Sequence, residues 1–191
     1  MEIRPYTPWS ALTYASWAQN AGSIFSAAKA QGLQGVWLCA LAHLSVETAD
    51  FSRFVGPWNY GNIKYTGHWK PAGLAYAVRY NDDNPNDLFM AFNAPQNGLA
   101  AYFKLIQNDR YGITGTETVQ EYAAKLNAGG YATSPTFESA VVAKYKQILA
   151  KHPDLATWNG SGSPASDSSF AGVGWVAGIV LLLMVFGKKM N

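Results

Sequence analysis

The chain has 191 residues, of which 49% are hydrophobic and only 14% are charged. This composition excludes intrinsic disorder for most of the chain, and a single cysteine, Cys39, excludes a disulfide framework and a thiolate zinc cluster. The formal net charge of +2 comes from Lys188 and Lys189, so the body of the chain is neutral, which argues against nucleic acid as a partner. We therefore expect a globular domain of ordinary size that uses no metal and no other cofactor.

Hydrophobic periodicity predicts a mainly helical N-terminal half. Pro8, as the first residue of a helix, predicts a helix that continues to about Asn20. A second, short helix is expected between Gly22 and Gly32. A third helix is expected from Val36 to about Thr48, because apolar residues recur there at three- and four-residue steps.

The second half predicts one hairpin and three more helices. The remaining elements are, in chain order, a loop at 57–73, strands at 74–80 and 88–92 around the polar turn NDDNPND, and helices near 99–106, 118–128 and 134–152. The helix that begins after Thr118 carries a capping box with Glu121. The pattern as a whole predicts a mainly α domain with one small β-hairpin over residues 1–158.

The last part of the chain has a different composition. Residues 159–169 read NGSGSPASDSS, which is typical of a flexible linker. From Phe170 to Phe186 there is no charge over 17 residues, enough for a helix of roughly 25 Å. We therefore expect one C-terminal transmembrane helix at 170–187, with the lipid bilayer as a partner and the two terminal lysines on an interior side. Gly174 and Gly178 form a weak motif for helix pairing, so an oligomer is possible.

Glu47 is the candidate catalytic acid. It lies in the last turn of the third predicted helix, where the helix dipole disfavours a carboxylate, and apolar neighbours such as Trp37 and Leu44 would disfavour it further. Both effects raise a carboxyl pKa, as a general acid requires near neutral pH. The loop that follows is basic and would oppose the rise if it came close. His43, four residues earlier, shares this helix face, which allows a polar supporting role beside Glu47, although an ordinary helix position is the favoured interpretation.

The loop after Glu47 is rich in aromatic residues, which could stack on sugar rings or hold the loop onto the core. They are Phe51, Phe54, Trp58, Tyr60, Tyr65 and Trp69.

Four segments resemble one enzyme family in the same order along the chain. The run AHLSVET at 42–48 is followed by NYGNIK at 59–64, by GLAAYFKLIQNDRYG at 98–112 and by a segment at 123–142 that contains Gly-Tyr-Ala-Thr. Together they resemble glycoside hydrolase family 73, the peptidoglycan N-acetylglucosaminidases of bacteria and phages. The resemblance implies a lysozyme-like α+β domain with a small β-hairpin lobe, and peptidoglycan glycan strands as the substrate.

The resemblance also implies roles for individual residues. Glu47 would be the general acid and Tyr131 the active-site tyrosine. Five further residues are expected at the substrate: Asn59, Tyr60, Trp58, Lys64 and Tyr65.

One departure from the family pattern leaves the mechanism open. Many members place a second Glu on the hairpin, but here only Asp82, Asp83 and Asp87 could replace it. Hydrolysis could instead use the substrate N-acetyl group, or the muramoyl 6-hydroxyl could attack as in lytic transglycosylases. A non-catalytic wall-binding or virion structural protein is the third interpretation. A C-terminal anchor without an N-terminal export signal suits a phage whose virion contains a membrane, or else a bacterial inner membrane.

Overall fold

The computed structural model describes residues 1–82, 84–132, 134–162 and 164. This part of the chain folds into an α-helical body with a three-stranded sheet on one side. The helices are α1 (Trp17–Ala30), α2 (Trp37–Glu47), α3 (Pro95–Ile106), α4 (Val119–Ala128) and α5 (Phe137–Lys151). The strands are β1 (Ile3–Pro5), β2 (Leu74–Arg79) and β3 (Leu88–Phe92). The mainly helical prediction with a small β lobe is therefore confirmed.

The predicted boundaries of the first two helices were wrong. The chain is not helical from Pro8, and a single helix, α1, runs through Gly22. Its start is fixed by a capping box, in which the Gln19 amide donates to Ser16 Oγ and the Ser16 amide donates to Gln19 Oε1. A glycine is tolerated inside the helix because α1 gains most of its stability from packing, and six of its other residues are fully or almost fully buried apolar ones.

α2 is the central helix of the body. Ten of its eleven residues are buried, and it packs against α1 on one side and α5 on the other. A helix that is apolar all round is stable only in such a position. The predicted helix at 36–48 is confirmed to within one residue at each end. Its last residue is Glu47, from which the chain continues into the loop that leads to the sheet.

The sheet contains the predicted hairpin and one strand that was not predicted. β2 pairs antiparallel with β3, with Arg79 opposite Leu88. β1 pairs parallel with the other edge of β2, with Ile3 opposite Ala77. The long connection between α2 and β2 joins this sheet at its other edge, because Lys64 forms a bridge with Phe89 and the Met90 amide donates to the Ile63 carbonyl at 2.9 Å.

The described start of the predicted linker lies along α1. Trp158 packs on Phe25 with ring centroids 4.7 Å apart, and its indole nitrogen donates to the Ser161 carbonyl at 2.7 Å. None of the helices in the described ranges has the length and hydropathy needed to cross a bilayer. The predicted transmembrane helix at 170–187, with Gly174 and Gly178, lies outside the described residues.

Candidate active site

Glu47 is the last residue of α2, and the chain reverses sharply behind it. The Thr48 hydroxyl donates to the Leu44 carbonyl at 2.6 Å and accepts from the Phe51 amide at 3.0 Å. Ala49, Asp50 and Phe51 have φ values of 48°, 55° and 68°, in the left-handed region that non-glycine residues rarely occupy. Such strain persists only where surrounding contacts impose it, and here it brings the following loop back over the helix end.

The carboxyl group of Glu47 is fully buried and has two side-chain partners. Its Oε1 lies 3.2 Å from Nε2 of His43, one helical turn earlier. Asn62 Nδ2 donates to Glu47 Oε2 at 3.3 Å and to the Glu47 backbone carbonyl at 2.7 Å. The second bond satisfies a carbonyl that the helix leaves free at its C-terminus. Asn62 thus caps the C-terminus of α2 and also covers the carboxyl group of Glu47 on the side of the loop.

Burial raises the pKa of Glu47, and the hydrogen bonds from His43 and Asn62 lower it by less. The direction agrees with the prediction, but the neighbours differ from those expected. Trp37 packs against Phe25 and Trp158 instead. Lys64 in the basic loop is ion-paired with Asp82 and Asp87 instead. The site therefore favours a protonated carboxyl group, the form in which a general acid acts.

Asn59 and Tyr60 lie inside the loop, whereas the sequence placed them at the substrate. Asn59 is fully buried, and its side chain accepts from the Ile63 amide at 2.7 Å and donates to the Ile63 carbonyl at 3.0 Å. Tyr60 is 1% exposed and its hydroxyl donates to Asn20 Oδ1 at 2.8 Å. Their polar groups stabilise the conformation of the loop. Both side chains are buried, so neither contacts the substrate directly in this conformation.

Trp58 and Tyr65 retain partly exposed side chains. Trp58 has a φ of 56° and packs against Trp9 at a centroid distance of 4.5 Å and against Tyr14 at 5.6 Å. Tyr14 is 65% exposed, so this cluster presents aromatic surface to solvent. Of the six aromatic residues singled out in the loop, Phe51, Phe54 and Tyr60 belong to the core.

Lys64 joins the loop to the turn between β2 and β3. Its ammonium group lies 2.9 Å from Asp87 Oδ2 and 3.5 Å from Asp82 Oδ2. Two of the three aspartates considered as a second carboxylate are therefore ion-paired to the lysine that was expected to bind substrate. Asp83, the third, lies outside the described residues.

Tyr131 is buried, and its hydroxyl donates to the Gly61 carbonyl at 2.7 Å. The hydroxyl therefore faces the interior beneath the loop that carries Asn62. Its ring also lies 4.6 Å from the His43 ring, centroid to centroid. This geometry makes Tyr131 a support for the loop over Glu47.

Tyr131→Phe is expected to lower both stability and turnover. Removal of the hydroxyl leaves the buried Gly61 carbonyl without this donor, which should reduce the free energy of unfolding by about 1–3 kcal/mol. Turnover should fall by more than the unfolded fraction explains, because the loop that orients Asn62 is released. Thermal melting and specific activity on purified peptidoglycan, measured on the same preparation, check both parts. Unchanged specific activity would contradict a role at the site.

Sequence reasoning missed Asn62 as a partner of the carboxyl group and gave His43 too little weight. Asn62 lies within the quoted loop motif, and its φ of 46° suits asparagine, but nothing in the pattern shows that its side chain turns toward Glu47. His43 was assigned an ordinary helix position, which is wrong. The available indication was its spacing of four residues from Glu47, which places both side chains on one face of α2. Among the described residues, no cluster of His, Cys, Asp and Glu side chains could hold a metal ion.

Comparisons with known proteins agree with this architecture. No family model and no curated protein matches the sequence. Among solved structures, the glycoside hydrolase domain of FlgJ from Salmonella typhimurium superposes with a TM-score of 0.55 at 21% identity, covering 70% of this chain and 95% of that domain. A peptidoglycan hydrolase from Sphingomonas sp. A1 superposes with a TM-score of 0.56 at 19% identity, covering 72% of this chain and 96% of that one. The chain therefore shares its fold with a glycoside hydrolase domain and with a peptidoglycan hydrolase, as the sequence resemblance implied.

Proposed function

We propose that this protein is a membrane-anchored peptidoglycan hydrolase that cleaves the glycan backbone of the bacterial cell wall, as an endo-β-N-acetylglucosaminidase. The observation that carries the proposal is the carboxyl group of Glu47. Glu47 is the last residue of the central helix, and its buried side chain contacts Asn62 of the loop that leads to the sheet. Burial raises the pKa of its carboxyl group. The shared fold with a glycoside hydrolase domain and with a peptidoglycan hydrolase supports this substrate class.

In this mechanism Glu47 protonates the glycosidic oxygen as the bond breaks, and the transition state has oxocarbenium character. The glycan must first reach the carboxyl group, whose side chain has no exposed surface. Asn62 lies directly on it from the loop side, so the Gly61–Lys64 segment must move for the substrate to enter. The contacts that hold this segment include the Tyr131–Gly61 hydrogen bond, the Lys64–Asp87 ion pair and the Met90–Ile63 backbone hydrogen bond.

Three candidate functions differ in whether the glycan is cleaved and in which group attacks the sugar. An inverting hydrolase needs a second carboxylate about 6.5–9.5 Å from the acid to activate water. Asp82 and Asp87 are the described candidates, and both are engaged by Lys64. Because both aspartates are ion-paired, a lytic transglycosylase on the same scaffold is the second candidate. In that reaction the muramoyl 6-hydroxyl attacks, and Glu47 acts first as acid and then as base. A non-catalytic wall-binding protein is the third candidate.

Product analysis on purified peptidoglycan tests the proposal. Reducing N-acetylglucosamine ends support the hydrolase, 1,6-anhydromuramoyl ends support the transglycosylase, and an absence of soluble products supports the non-catalytic protein. Asp82→Asn and Asp87→Asn should be assayed in parallel. Loss of reducing ends in one variant, with an unchanged melting temperature, would identify the second carboxylate.

We propose further that residues 170–187 anchor the domain in a membrane, either in a phage virion or in a bacterial inner membrane. The support is the uncharged run of 17 residues with lysines after it. A chain that ends at Pro164 should be active without detergent, because it keeps the contacts of Trp158 and Gly160 with Phe25.

Leu181→Arg is expected to release the full-length protein from membranes. A charge at the centre of the run disfavours insertion by about 2.5–3.5 kcal/mol, while Leu181→Ala, the matched control, keeps it apolar. Partition after alkaline carbonate washing measures the effect. Wild-type protein found in the aqueous fraction would contradict the anchor, whatever the activity of the domain.

A further inference from the structure

A chain of three hydrogen-bonded side chains lies behind Glu47. Nε2 of His43 faces Glu47 Oε1 at 3.2 Å, and Nδ1 of the same ring lies 2.8 Å from the Tyr102 hydroxyl. The Tyr102 hydroxyl is in turn hydrogen-bonded to that of Tyr122. All three side chains are fully buried. The chain links α2 to α3 and α4, and it ends on the oxygen of the proposed acid that points away from the loop.

The surroundings of His43 are aromatic. The rings of Tyr131 and Phe137 contact it edge to face at centroid distances of 4.6 and 5.2 Å. The titratable groups that face the ring are Glu47, Tyr102, Tyr122 and Tyr131. Cys39 and Glu117 interact electrostatically with Tyr122. A buried imidazole usually satisfies both ring nitrogens, and here one partner is the acid and the other is a tyrosine.

Two directions of this hydrogen-bond chain are possible, and they have opposite consequences. In the first, Tyr122 donates to Tyr102, Tyr102 donates to Nδ1, and the Nε2–H group donates to Glu47 Oε1. The acid's own proton must then reside on Oε2, on the side where the substrate enters. In the second, all donors are reversed, and the Glu47 proton on Oε1 points into the core, where no substrate can take it.

We propose that His43 is a positioning residue that donates from Nε2–H to Glu47 Oε1, so that Oε2 is the oxygen that delivers the proton to the glycan. Tyr102, supported by Tyr122, fixes the ring tautomer by donating to Nδ1. A donor at Oε1 suits the carboxyl group in both protonation states, because that oxygen accepts before and after the proton leaves. The inference rests on the proposed function and assigns the side of the carboxyl group that reacts.

The amide variants of His43 separate its two contacts. In His43→Gln the side-chain N–H can take the position of Nε2–H and still donate to Glu47. In His43→Asn the shorter amide can reach Tyr102 but not the carboxyl group. We expect His43→Asn to lower kcat/KM by up to about 100-fold, as misplacement of a reacting group does, whereas His43→Gln should retain most of the activity.

The pH profile provides a readout that a purely structural role would not change. The ionised carboxylate loses a donor in His43→Asn, so the pKa of Glu47 should rise and the high-pH limb of kcat/KM should move upward. Tyr102→Phe should move the limb in the same direction by less, because the tautomer is no longer fixed. His43→Gln should leave it near the wild-type position. A limb that stays in place in His43→Asn, with altered melting alone, would overturn the inference.

Nitrogen-15 NMR of the wild-type ring tests the tautomer even if the variants fold poorly. The chain has three histidines, and the His43 signals are those that disappear in His43→Gln. We expect a protonated Nε2 and a bare Nδ1 at neutral pH. The opposite tautomer would refute the assignment. Wild-type protein that releases no glycan ends would instead refute the proposed function, while the tautomer measurement still stands.

Discussion

Glu47→Gln is expected to abolish peptidoglycan cleavage and, at neutral pH, to make the fold more stable. Removal of a general acid lowers the rate by about 10²–10⁴-fold, because glutamine cannot release a proton to the leaving oxygen. Glutamine nevertheless fits the same space and stays neutral. The buried site raises the pKa of the carboxyl group, so at neutral pH the wild type must either bury a charge or take up a proton on folding, and a neutral glutamine avoids both costs.

The sign of the stability effect follows from the raised pKa of Glu47. A carboxyl group with a raised folded-state pKa contributes most stability below its unfolded value of about 4.3, and this contribution is lost as pH rises through the folded-state pKa. The difference in melting temperature between Glu47→Gln and wild type should therefore grow from acid to neutral pH. Near-wild-type lysis by the variant would refute the assignment of the acid.

Glu117→Gln is the matched control, because Glu117 is buried with the opposite shift. Burial opposes its ionisation, but the Lys125 ion pair and donors from Thr114 and Gly115 outweigh it and lower the pKa of Glu117 to about 2. This variant should lose about 1–3 kcal/mol at neutral pH. The loss should shrink as pH falls from about 4.3 toward 2, where wild-type Glu117 is protonated too. Wall cleavage by the folded fraction should persist.

Gly98→Ala is expected to have the largest effect on stability. Gly98 lies in the second turn of α3, and a Cβ there would come within 1.8 Å of the Trp58 carbonyl oxygen and 2.9 Å of its carbon. The backbone must shift, which typically lowers stability by about 1–3 kcal/mol or more. The gain of about 1 kcal/mol in helix propensity is smaller, so destabilisation wins. Activity should fall as well, since the displaced loop carries Asn62.

Gly22→Ala shows what the same substitution does where space is available. The added Cβ would lie 3.7 Å from Pro164 and 3.9 Å from Trp158, which are ordinary contacts. This variant should gain about 0.5–1 kcal/mol from the lower flexibility of the unfolded chain and should remain active. Chemical denaturation of both variants provides the comparison. If Gly98→Ala were as stable as wild type, the close packing of α3 on the Trp58 loop would be refuted.

The sequence allowed α2, the hairpin and the position of Glu47 to be predicted. Each depends on local information: apolar spacing for the helix, alternation around NDDNPND for the strands, and a helix end for the acid. The capping box at Thr118 also predicted the start of α4 correctly, because both of its hydrogen bonds join residues three positions apart.

The features that could not be predicted depend on contacts between residues far apart in the sequence. β1 has three residues, and its partner Ala77 lies more than 70 positions after Ile3, so no local pattern shows the strand. The same applies to the aromatic loop. The residue type of Tyr60 suits both a sugar platform and a core, and only the packing against Asn20 selects the core. Asn62 contacts Glu47 because the loop reverses between them, over a sequence separation of 15 positions.

The segment from Asn62 to Lys64 ties the proposed acid mechanically to the sheet. Asn62 holds Glu47, Ile63 accepts from the Met90 amide, and Lys64 binds the aspartates of the hairpin turn. A glycan that wedges the two lobes apart would pull Asn62 from the carboxyl group and remove a donor that favours its ionised form. The pKa of Glu47 would then rise further, so the carboxyl group would hold its proton more firmly as the substrate arrives. In the conformation described, the carboxyl group has no exposed surface, so a movement of this segment would both admit the substrate and change the proton affinity of the acid.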